Sequence, residues 1–227
     1  EEVMTAGFIL VVIVVVLFLL SSYFKKRKDD KIVQKLYDIR KLNNKKVFFE
    51  ALDSFDVKSR FSAFTIAMMK LNYLLERSDL KEAKDIYDEA TALKMKRQDK
   101  IALAEKGFEL AIKTKDQNLA DEALKLLGDN MMTNDKSQKE LYSELQDLYG
   151  VYFGHDLSLI AKYTNLLKSE KNVIKKGEYC YRLVKLYHYS DNSKKVDEIL
   201  TESKAIMNSK VWNDKVDSII KDHSLLT

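Results

Sequence analysis

Apolar residues in this chain follow two separate patterns. From Val3 to Phe24 there are 22 residues without a charge, centred on Val, Ile, Leu and Phe. At about 1.5 Å per residue a helix over them spans roughly 33 Å, enough for a hydrocarbon core, so the run predicts a transmembrane helix over 3–24. After residue 30 the apolar residues recur at intervals of three and four instead. Leu80, Ala83, Ile86, Tyr87, Ala90 and Leu93 make one such stripe, the buried face of an amphipathic helix. No stretch of this region sustains the alternation of a strand. The predicted fold class is all-α.

Turn signals divide the helical region evenly. Asn44, Asp79, Asp116, Asp156 and Asp191 stand 35, 37, 40 and 35 residues apart. A recurrence of that size between amphipathic helices marks an α-solenoid of helical hairpins. Asp and Asn side chains accept bonds from the free N–H groups that open a helix, so each marker is an expected N-cap. The spacing predicts five hairpins, over 31–56, 57–94, 97–134, 137–170 and 172–208, and a capping helix over 211–225. Val211, Trp212, Val216, Ile219 and Ile220 of that last helix are expected to cover the fifth hairpin. The predicted organisation is a transmembrane helix at 3–24, a basic juxtamembrane segment at 25–31 and a helical domain at 32–227.

Charge adds a direction. Glu1 and Glu2 precede the apolar run, whereas Lys25, Lys26, Arg27, Lys28, Lys31 and Lys35 follow it. A cleaved signal peptide carries the opposite order, and basic residues beside a span stay in the cytoplasm. The expected placement is a single-pass protein of the cell membrane, N-terminus outside and helical domain cytoplasmic, with the lipid bilayer as one partner. Setting aside the five basic and four acidic residues up to Lys31 leaves 34 basic against 31 acidic side chains. Lysine outnumbers arginine 33 to 6. Neither balance suits nucleic acid, which calls for basic charge concentrated on one element and for bidentate arginines. The chain has no proline and six glycines, and such scarce turn punctuation favours helices throughout. Its Lys, Asn, Asp, Ile and Tyr usage fits an AT-rich bacterial genome.

The residues that carry chemistry are few. His155, His188 and His223 lie far apart, at no metal-ligand spacing, and Cys180 has no second cysteine to pair with. A glycine-rich phosphate loop and a nucleophile elbow are both missing. Cys180, between Tyr179 and Tyr181, reads as buried filler, and Trp212 as packing. The tyrosines Tyr142, Tyr149 and Tyr152, and again Tyr179, Tyr181, Tyr187 and Tyr189, share helices and divide between core and groove. No enzymatic activity, cofactor, metal or small-molecule substrate is expected.

The stretch from Ser78 to Leu93 resembles the turn and second helix of a tetratricopeptide repeat. Ala83, Tyr87, Ala90 and Leu93 fall on its small, aromatic, small and apolar positions. Leu110, Ala111 and Ala123 make a second partial match, and Leu183, Tyr187, Val196 and Leu200 a third. The repeat-ending proline and the first-helix tryptophan are absent, and Phe48 stands where a small residue belongs. The resemblance implies a concave surface lined by first helices, on which Asn72, Glu76, Glu105, Phe108, Tyr181, Lys185 and His188 face a peptide or a partner helix. The function it implies is a membrane-anchored, non-enzymatic scaffold or adaptor. The alternative is a structural component of a division, secretion or motility complex whose transmembrane helix is an assembly element. A third reading is a subunit or regulator of an enzyme whose chemistry resides in another chain.

Overall fold

The computed structural model describes residues 29–226, and they fall into two compact units that divide between Met95 and Lys96. The first unit contains α1 (29–41), α2 (Lys45–Leu52), α3 (Phe55–Lys58), α4 (Ala63–Glu76) and α5 (Leu80–Thr91). The second contains α6 (Arg97–Thr114), α7 (Gln117–Asn130), α8 (Lys136–Tyr152), α9 (Leu159–Ser169), α10 (Val173–Tyr189), α11 (Ser193–Met207) and α12 (Lys210–Lys221). A 3-10 turn, His223–Leu226, ends it. No strand occurs among the described residues.

Short polar side chains start most of these helices. Asn44 accepts from the Val47 N–H at 3.2 Å, Asp116 from Leu119 at 3.1 Å, and Asp135 from Gln138 at 3.1 Å. Asn172 does the same for α10 and Asn192 for α11. Each removes one of the unsatisfied donors at a helix start. The residue before the cap often has a left-handed backbone: Asn43, Ser78, Lys115 and Asp191 all have φ between 53° and 57°.

In the first unit Leu36, Phe48, Leu52, Val57, Ile66 and Tyr73 form the buried cluster, with the Phe48 ring stacked on Tyr73 at 4.9 Å. Helices α4 and α5 pack together, and Ala83 and Ala90 of α5 are fully buried. Lys45 ties the start of α2 to the start of α5 through Asp79 at 2.7 Å and Glu82 at 2.6 Å. In the second unit α6 packs on α7, α8 on α9, and α10 on α11, while α10 also meets α8 and α9. Gly107, Ala104, Ala111, Ala120 and Ala123 are all buried in α6 and α7. Small residues like these let two helices approach closely.

The expected fold class needs correction. Among the described residues no helix is long and apolar enough to cross a membrane. The span expected at 3–24 and the basic segment up to residue 28 lie outside the described residues. The physical reason is plain from residue 29 onward: α6, the longest described helix at 18 residues, carries Arg97, Asp99, Lys100, Glu105, Lys106, Glu109 and Lys113. Two local differences from the sequence reading follow. The four-residue α3 stands between α2 and α4, where the hairpin pattern leaves only a turn. The capping helix stops at Lys221, and the chain then tightens into the 3-10 turn.

Candidate functional site

The second unit carries an open cleft of about 850 Å³. Its walls come from α6, α8 and α10, the first helices of the three pairs, and from the capping helix α12, closed by residues of the turns after α6 and α8 and by the 3-10 turn. From α6 come Glu109, Ile112 and Lys113, at spacings of three and four that place them on one face. Lys115 and Gln117 follow on the turn into α7, and Tyr152, Phe153 and His155 at the end of α8. Tyr181, Lys185 and Tyr189 stand four residues apart along α10, so one stripe of that helix forms the floor. Lys215 of α12 and Leu225 complete the lining.

Aromatic rings set the shape. His155 stacks on Tyr189 with centroids 3.7 Å apart. Tyr181 meets Trp212 edge-on at 6.3 Å, and Gln117 donates to the Tyr149 hydroxyl at 2.8 Å. Burial raises the phenols of Tyr152, Tyr181 and Tyr189 above the usual range, so they stay protonated.

The charge is mostly of one sign. Among the described lining residues, Lys113, Lys115, Lys185 and Lys215 face the cleft with one carboxylate, Glu109, which Lys106 pairs at 2.9 Å. Lys185 is 7% exposed. Its ammonium donates to the Tyr189 hydroxyl at 3.1 Å and to the Leu226 carbonyl, and it lies 5.2 Å from the Tyr152 ring centroid. Burial, helped by repulsion from Lys115 and Lys215, lowers its pKa to about 8. Lys215, 4.5 Å from the Tyr181 ring centroid, is lowered by burial and then by Lys113.

A second hollow of about 360 Å³ shares Ile112, Tyr152, Tyr181 and Lys215 with the cleft. Its own lining is more apolar, with Leu148, Ile174, Met207 and Trp212 beside the ion-paired Glu178 and Arg182. The shared residues make the two hollows one groove. Nothing among the described residues groups three His, Cys, Asp or Glu side chains at metal-holding distance.

Of the residues named from sequence, Tyr181 and Lys185 line this cleft. Glu105 is exposed one turn before Glu109 on α6 and lies outside the cleft lining. Phe108 must be corrected: it is 1% exposed and packs edge-on against Phe153 at 6.4 Å, so it supports the wall from behind. Its neighbour Glu109 takes the cleft-facing position, one residue on. His188 is half-buried beside Tyr189, outside the lining, and burial pushes its imidazole below the ordinary value. Asn72 and Glu76 belong to the first unit, where Asn72 is half-buried and Glu76 pairs with Arg40. Sequence reading missed Lys113, Lys115 and Lys215, and named Tyr152 and Tyr189 only among seven tyrosines divided between core and groove. The four-residue stripe Tyr181, Lys185, Tyr189 was a usable signal, as was the pair of lysines ending α6.

No protein-family profile, curated protein or solved structure matches the chain.

Proposed function

We propose that the chain is a non-enzymatic adaptor that holds a peptide or protein segment of a partner in the groove of its second unit. One observation carries this reading. The first helices α6, α8 and α10 and the capping helix α12 together line an open cleft whose contents are aromatic rings and lysine ammonium groups. Rings of this kind supply rigid contact area, and the lysines orient a charged segment. The tetratricopeptide-like pattern of Ala83, Tyr87, Ala90 and Leu93 supports the reading by resemblance, since such repeats use their first helices for peptide capture. The cytoplasmic placement stays a proposal resting on the sequence before residue 29.

Photo-crosslinking in the native cell tests the role. A crosslinking amino acid at Lys113, on the cleft, is compared with one at Glu122, exposed on α7. The expected result is a discrete protein adduct from position 113 and none from 122. Adducts from 122 alone would put the partner on another face and overturn the reading.

A further inference from the structure

The most informative side chain in the molecule is Lys185. A buried ammonium ordinarily sits beside a carboxylate, because desolvating an unpaired charge is costly. Among the described residues its hydrogen-bond partners are both neutral, the Tyr189 hydroxyl and the Leu226 carbonyl. The nearby charges make its position worse, since Lys115 and Lys215 repel it. Lys113 in turn bears on Lys215. The carboxylate of Glu109, in the described lining, is engaged by Lys106 at 2.9 Å. A cleft with this excess of cation is complementary to an anionic occupant.

The shape of the groove narrows the kind of anion. Beside the lysines the groove continues into the hollow walled by Leu148, Met207 and Trp212. An inorganic anion would leave that hollow unfilled. Nucleic acid would gain little there, since Arg182, the arginine in the described lining of the groove, is already paired with Glu178. Resting on the adaptor reading above, we infer that the occupant is an acidic peptide segment carrying an apolar anchor. Its carboxylates face Lys113, Lys185 and Lys215, and its anchor enters the hollow beside Trp212. Lys185 supplies the buried contact, while Lys113 and Lys215, whose side chains are more open to solvent, steer the approach.

Fluorescence anisotropy on the full chain tests this with three pools of peptides about ten residues long. Each pool has one randomised apolar position, set in an Asp/Glu, an Asn/Gln or a Lys background. The acidic pool is expected to bind at least about tenfold more tightly than the neutral one, and to weaken as salt rises from about 50 to 500 mM. Lys113→Glu combined with Lys215→Glu should abolish that preference, with the thermal transition of the double variant as the check on folding, since Lys215 lies over the Tyr181 and Trp212 rings. Equal, salt-insensitive binding of the acidic and neutral pools would overturn the acidic assignment and leave the groove reading standing. A preference for the basic pool would also overturn it. Binding of no pool at all would overturn the groove reading itself.

Discussion

Ser78, between α4 and α5, shows how this chain makes turns with little glycine. Its φ of 56° is left-handed, as are those of Asn43, Lys115, His155, Asp191 and Asn208, and no described glycine takes that conformation. For a residue with a Cβ such a backbone costs about 1 kcal/mol, which glycine avoids. Ser78→Gly should therefore raise the stability of the first unit by about 1 kcal/mol, read as a higher melting temperature. Gly177 is the converse case. A Cβ there would overlap the Met207 sulfur, so α10 approaches α11 through a missing side chain. Gly177→Ala should cost no more than about 1 kcal/mol, because the obstructing atoms end a flexible side chain and alanine favours the helix, and Met207→Ala in the same chain should recover the loss. A full cost despite Met207→Ala would show that the methionine is not the obstacle. At this scale the turn markers were legible to within a residue or two. Asn44 and Asp116 cap helices as their chemistry requires. Asp191 instead takes the left-handed position and leaves the cap to Asn192, while Asp156 accepts from the Ser158 N–H two residues on. Asx chemistry is equally at home in a cap and in the turn before it, so composition alone does not separate them.

Along a helix, period decides which residues share a face but leaves the outward direction of that face open. In α6 the spacing that joins Phe108 to Ile112 is genuine, yet Ile112 lines the cleft and Phe108 packs behind it. A wide apolar face has a centre and an edge, and the sequence pattern does not tell them apart. On α10 the stripe is narrower, and Tyr181, Lys185 and Tyr189 reach the floor together. That helix also yields a pH prediction. Folding lowers Lys185 from an ordinary 10.5 to about 8. Between those values the unfolded chain holds more protons than the folded one, so stability rises with pH across that window. The buried phenols act the other way only above their ordinary value of 10.0. Lys185→Met should reduce the rise in unfolding free energy between about pH 8 and pH 10, measured by urea titration at each pH. An unchanged slope would mean that Lys185 is not desolvated. Binding gives the same window a second signature. Carboxylates beside Lys185 favour its charged form, so the acidic peptide should bind less tightly as pH climbs through about 8.

At the scale of the whole molecule, an even recurrence of turns reveals helical pairs but not which pairs share a core. The sequence runs through Leu93, Lys94, Met95 and Lys96 with no break in composition, yet the contacts divide there. Each unit holds its own buried cluster, one around Phe48, Leu52 and Tyr73, the other around Val151, Leu183, Leu186 and Leu200. We predict that the two clusters open with separately measurable free energies. Ala83 offers the probe: it is fully buried on α5, and Ala83→Asp would put an uncompensated carboxylate there. Such a charge costs about 3 kcal/mol or more. Hydrogen exchange on the full chain should then show faster exchange from Lys45 to Thr91, with protection from Arg97 to Lys221 kept. Acidic-peptide binding in the groove should survive the same change, because every residue lining it belongs to the second unit. Loss of protection across both units would mean that the two cores open together. Unchanged exchange from Lys45 to Thr91 would mean instead that the first unit relaxes to expose position 83 at little cost.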